Sequence, residues 1–231
     1  ITMDAFQPEA TAVAVKDNRI YSVGSLEEMK TWMKAGSYRV NASFANDIIT
    51  PGLIEAHDHW TLLILLLAHP YVGYYDFLGY SAQLGPSSIP LLKSKQEVIA
   101  SLQKADKAMQ DPNEAILAWG FDPIFFNNAD LTADELDQVS KTRPVFVLNA
   151  SDHIGYVNHA LLKKAGYDAN TQIKGVKKGS DGMPNGVLEE ASAMAPVISP
   201  LVQQLMTQAA IKKGIAGAGG LAKKVGLTTV S

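Results

Sequence analysis

The sequence predicts an α/β protein on three observations. Residues 11–24 alternate apolar and polar side chains around Asp17-Asn18, as a β-hairpin does. The stretch "DIITPGLIEAHDH", ending at His59, is rich in β-branched and apolar residues. From about Ser87 onward, capped helical patterns alternate with short β-branched runs.

Taken in order, "TAVAVKDNRIYSVG" predicts two strands joined at Asp17-Asn18, because Asp and Asn tolerate the positive φ of a two-residue hairpin turn. Ser25 and Glu28 have capping-box spacing ahead of "LEEMKTWMK", which predicts a short helix. "YRVNA" and "DIITPGLIEAHDH" then predict more β structure. The run "WTLLILLLAHPYV", Trp60 to Val72, is interrupted by His69 and Pro70 and falls short of the roughly 20 residues of a membrane span, so it predicts a buried segment with Leu62 to Leu67 in the core.

Farther along, Ser94 with Glu97 caps a helix whose Val98, Leu102, Ala105 and Met109 recur at helical spacing, with Asp111-Pro112 as its stop. "AILAWG" predicts a strand, Thr132 with Glu135 caps a second helix, "RPVFVLNA" predicts a strand, and "NHALLKKAG" predicts a short helix closed by Gly166. The order is therefore αβαβα. A Gly/Lys/Asp-rich loop is expected over 174–186, then a long helix opened by Ser199-Pro200, then a strand in "GLTTVS" that looks cut off at its end. "GIAGAGGLAKK" lacks the spacing of a dinucleotide or phosphate loop and comes after a helix rather than a strand, so it predicts a flexible or bent helix end. There is no internal repeat, heptad pattern or low-complexity tail.

Composition narrows the chemistry. The 231 residues suffice for one large domain or two small ones. At 47% hydrophobic, 19% charged and a net charge of -3, the chain is ordinary for a globular protein and gives no reason to expect nucleic acid or an anionic membrane as partner. With no cysteine, any metal must be held by His, Asp, Glu or a modified Lys. The chain opens at Ile1 without an initiator Met or a charged-then-apolar leader. The expectation is a cytoplasmic location, or a signal peptide already removed.

His57 and His59 are the most informative residues. Two apart on a strand, they point to one face about 6.6–6.8 Å apart and aim two imidazoles into one cavity, while Asp58 points away. The pair is then either half of a metal site or a solvated pair in a turn. "ITPGLIEAHDHW" resembles the metal-binding opening of the amidohydrolase superfamily, Pro-Gly-hydrophobic-Ile-Asp/Glu-x-His-x-His, and every position of that pattern is filled. The hairpin "AVAVKDNRIYSVG" resembles the family's N-terminal β segment. "WGFDP", "LTADELDQVSKTRPVFVLNASDHIGYVNHALLKKAG" and "DGMPNGVLEE" resemble the amidohydrolase 3 branch, which includes N-substituted formamide deformylases and exoenzyme regulatory proteins.

The resemblance implies a partial (β/α)8 metal-dependent hydrolase barrel with an N-terminal β-sandwich segment and an α/β insertion. Its parts would be residues 1–50 (sandwich), 51–74 (first barrel strand and the adjoining segment), 75–185 (insertion) and 186–231 (return to the barrel, cut after a strand). It implies His57 and His59 as ligands at the C-terminal end of the first strand, where barrel enzymes keep their chemistry. Glu190 is then either a carboxylate bridging metals or the opening residue of the next helix, with Glu189 as the control. Asp152, His153 and Asn158 fall on a segment similar to "GHxxxxN", with Asp in place of Gly. His153 and Asn158 become substrate contacts on that reading, against a satisfied loop histidine. Trp119 and Asp122 fall on a "GWD"-like turn with Phe121 where Trp is usual, and they either line a pocket or pack. His69 and His159 are expected to be structural.

The implied cofactor is one or two divalent ions, zinc first. The implied reaction is hydrolysis of an amide, formamide or related C–N bond by metal-activated water, with a carboxylate passing the proton to the leaving amine. The resemblance also implies two further histidines and a late general-base aspartate beyond Ser231, so this chain alone is expected to be inactive. A different class is a non-catalytic α/β binding or regulatory domain. Expected partners are a small amide-type substrate and, in a homo-oligomer, copies of the chain itself.

Overall fold

The computed structural model describes residues 1–74 and 91–230; the composition change expected near Ser87 lies outside them. The chain divides into two units, Ile1–Ala56 with Gly226–Ser231, and His57–Val225.

In the first unit, β1 (Ala12–Lys16) and β2 (Arg19–Gly24) form the expected antiparallel hairpin. Its turn residues Asp17 and Asn18 have φ of 51° and 60°. Ser25 and Glu28 close a reciprocal capping box on α1 (Leu26–Lys30), which buries Met29. The helix stops there instead of continuing through "TWMK". "YRVNA" forms no strand: its residues have no ladder partner, and a lone strand leaves its backbone groups unpaired. In "DIITPGLIEAHDH" only β3 (Leu53–Glu55) is extended and paired. It runs parallel to β9 (Leu227–Val230), with the Leu53 amide donating to the Gly226 carbonyl at 2.9 Å.

The second unit is built on a five-stranded mixed sheet. Its strands are β4 (Ile116–Phe121), β5 (Val145–Asn149), β6 (Ile154–Val157), β7 (Val176–Lys178) and β8 (Pro184–Glu189), in the order β4-β5-β6-β8-β7. β4 and β5 are parallel and the other pairs antiparallel. Every residue of β4 and β5 is buried, and alternation along the strands explains how. Ile116, Ala118, Val145 and Val147 pack with Val98 and Leu102 of α3 (Lys95–Ala108) and Leu136 of α4 (Ala133–Asp137). Leu117, Trp119, Phe146 and Leu148 join the opposite cluster. That cluster takes Leu67 from α2 (Trp60–Leu67), Leu161 from α5 (His159–Lys164), Val197 from α6 (Glu190–Ile198) and Leu221 from α8 (Gln208–Lys224). The sheet is covered by helices on both faces.

Three expectations change. The αβαβα order omits β6, which returns antiparallel beside β5 through residues 150–153. The loop expected over 174–186 is mostly a hairpin, β7 and β8, turning at Gly179–Gly182. Its lysines, Lys177 and Lys178, lie on an edge strand, where charge discourages further pairing. Ser199-Pro200 opens only a 3-10 turn (Ser199–Leu201); α7 (Val202–Leu205) comes next, and the long helix α8 starts after the Thr207 cap.

"GIAGAGGLAKK" runs from Gly214 to the end of α8 at Lys224 and is helical throughout. Gly214 faces the Ile64 carbonyl, where a Cβ has no room, and Gly217 lies against Leu67. The glycines let α8 and α2 approach backbone to backbone. Among the described residues neither an eight-stranded barrel nor a β-sandwich is formed, and no helix is long and apolar enough to cross a membrane.

Candidate functional site

β3 ends at Glu55 and α2 begins at Trp60, so His57 and His59 sit in the intervening turn and not on a strand. Strand alternation does not orient them. The turn nevertheless brings their rings to 5.6 Å, edge to face at 73°. Both residues are exposed, and His59 occupies the cap position of α2 without making a side-chain cap. Just before it, Asp58 Oδ1 accepts the His59 amide at 2.6 Å.

A cleft of about 160 Å³ opens beside His59. Leu62, Leu63 and Leu66 of α2, with Tyr71, Trp119, Gly120 and Ala150, supply the apolar wall; Asp58, His59 and Asp152 supply the polar side. Tyr71 and Trp119 pack edge to face at 4.9 Å, and Trp119 Nε1 donates to the His69 carbonyl. Trp119 therefore both packs and lines the cleft. Asp152 holds φ at 64°, a conformation glycine adopts freely, and it stands where the resembling pattern has Gly. Burial pushes its carboxyl up from the ordinary aspartate value, while His59 and then His153 pull it back down.

Glu190 also has positive φ, 68°. It opens α6, its amide donates to the His153 carbonyl at 2.7 Å, and its carboxylate lies 3.2 Å from His153 Nδ1. His153 and Glu190 thus form an exposed pair, and Glu189 pairs instead with Lys177. Asp122 caps the 3-10 turn Pro123–Phe125 by accepting the Ile124 amide and does not line the cleft.

Asn158 departs most from its expected role. It is fully buried, its Oδ1 accepts the Val145 and Leu161 amides, and its Nδ2 donates to the Ser140 and Arg143 carbonyls. Those four bonds fill its hydrogen-bonding capacity and leave nothing for a substrate. His159 pairs with Asp137 at 2.9 Å, and His69 is half-buried, as structural histidines are.

Asp152 is the cleft residue to which the sequence reading assigned no role; its signal was the Asp standing in place of Gly. Among the described residues no three His, Asp or Glu side chains converge closely enough to hold an ion. The two imidazoles are a partial donor set and do not by themselves fit a metal centre.

Comparison with known proteins agrees with the sequence resemblance. The chain is 26% identical over 196 residues to the N-substituted formamide deformylase of Arthrobacter pascens, covering 83% of this chain and 33% of that protein. It is 28% identical over 205 residues to the exoenzymes regulatory protein AepA of Pectobacterium carotovorum subsp. carotovorum, covering 85% and 40%. The crystal structure of an uncharacterized metal-dependent hydrolase from Pyrococcus horikoshii OT3 shares the fold, with a TM-score of 0.53 and 16% identity over 94% of this chain and 38% of that one. The chain thus spans a third to two-fifths of the length of these proteins. The model of the Amidohydrolase family matches residues 45–231, most of the chain, and the chain belongs to that family.

Proposed function

We propose that this chain carries one side of the active site of a hydrolase that cleaves non-peptide C–N bonds of the amide or formamide type. The observation that carries the reading is the pairing of the His57 and His59 rings at 5.6 Å beside a cleft walled by Trp119 and Asp152. His57 and His59 serve as two donors to a divalent ion, zinc by the chemistry of imidazole ligands. The remaining donors come from outside the described residues, and Glu190 joins them only by leaving His153. In this chain, the apolar wall holds the substrate's substituent and excludes water, and Asp152 offers a carboxylate to a polar group within the cleft.

A second reading, a non-catalytic α/β domain that binds a ligand or regulates a partner, is favoured by the absence of three converging donors among the described residues. The protein expressed from its complete gene and purified without chelator separates the two. Stoichiometric metal, and hydrolysis of N-formyl amines that the double variant H57A/H59A loses together with the metal, support the enzyme. Metal-free protein whose hydrolysis is unchanged in the double variant overturns it.

A further inference from the structure

The cleft beside His59 is chemically lopsided. Leu62, Leu63, Leu66 and the Tyr71–Trp119 pair give it an apolar lining, Asp58, His59 and Asp152 give it polar groups, and among the described residues no Lys or Arg lines it. Its volume of about 160 Å³ suits a single ring, since an apolar cavity of roughly 150 Å³ takes up benzene.

The two acids are not equivalent. Asp58 already accepts the His59 amide. Asp152 accepts no hydrogen bond from any described residue, and its neighbour His153 is engaged by Glu190. Asp152 is exposed at the rim of the cleft, and a carboxylate there that receives no described hydrogen bond can take one from a ligand, most strongly from a charged donor. Aromatic walls attract the same kind of ligand, because ring faces are electron-rich.

We propose that this cleft selects ligands carrying a protonated amine on a ring-sized apolar body, with Asp152 as the residue that reads the charge. Resting on the hydrolase reading above, the inference specifies the substrate class: an amide whose apolar substituent bears a further ammonium group.

The test compares two probes of equal size, benzylammonium and benzyl alcohol, titrated calorimetrically into the protein expressed from its complete gene. Benzylammonium binds about tenfold or more tightly than benzyl alcohol, as a charge-assisted contact requires. The variants D152N and D152G both reduce that ratio to about twofold or less while leaving benzyl alcohol binding in place. Asn and Gly both adopt positive φ, so both variants keep the local backbone, and circular dichroism verifies the fold. Equal binding of the two probes, or a preference that survives both substitutions, overturns the inference.

Metal content and N-formyl amine hydrolysis, measured on the same samples, keep the two proposals apart. Charge preference abolished by D152N in a protein without hydrolysis supports the cleft's selectivity and removes the hydrolase reading. Hydrolysis in a protein whose preference ignores Asp152 does the reverse.

Discussion

Asn158 and His69 show how a single side chain reveals its role through what surrounds it. Asn158→Ala removes one acceptor and one donor that together engage four backbone groups in a fully buried site. The expected loss is about 3 kcal/mol of stability, since buried backbone groups are left unpaired, read as a lower urea midpoint at unchanged slope. His69 works through charge. Burial, and then the nearby Lys213, lower its folded-state pKa below the ordinary 6.5, and its Nε2 is buried without a hydrogen-bond partner. The unfolded chain therefore binds more protons than the folded one below pH 6.5 or so, and stability drops as pH falls through the folded-state value. Denaturation of H69L across this range should show a shallower fall than the parent protein; an equal fall contradicts the assignment. Neither role is visible from residue identity: a histidine after an apolar run and an asparagine before a helix read alike whether they bind a ligand or hold the core.

At the scale of elements, the glycines of α8 give opposite predictions a few residues apart. Gly214→Ala drives a methyl into the Ile64 carbonyl of α2 and should cost about 2–3 kcal/mol, because backbone in contact cannot step aside. Gly219→Ala meets nothing within 4 Å on an exposed helical face and should stabilise by about 0.5–1 kcal/mol through helix propensity. Thermal midpoints of the two variants decide whether the glycine-rich stretch is a packing surface; a Gly214→Ala protein as stable as its parent excludes it. Two local caps were legible in advance, although the opening of α8 at Thr207 was not. The boxes at Ser25–Glu28 and Thr132–Glu135 form as their spacing predicts, because each needs only one helical turn to close. Strands were less legible: "YRVNA" has strand composition without a partner, while β7 has loop composition and pairs with β8, so pairing overrides propensity.

The whole molecule distributes its core unevenly. Both hydrophobic clusters lie within His57–Val225, whereas Ile1–Ala56 buries one large apolar side chain, Met29, and exposes Phe6, Ile20, Ile48 and Ile54. Since apolar burial is the main favourable term in folding, residues 57–225 expressed alone should unfold cooperatively. Residues 1–56 alone should give the spectrum of an unstructured chain. Circular dichroism of the two pieces checks this, and a cooperative transition in the short piece contradicts it.

Family membership and the α/β class could be read from residue order, because the motif "PGLIEAHDH" and the capping boxes act over less than a dozen residues, whereas the strand expected to orient His57 and His59 ends at Glu55 and leaves both in a turn. Only the folded arrangement placed Asp152 at the cleft with His59, engaged His153 with Glu190 and buried Asn158 in the sheet. Those outcomes depend on contacts between residues far apart in the chain, from Val145 with Asn158 to His59 with Asp152. Strand pairing and helix packing create such contacts, and no local pattern encodes them.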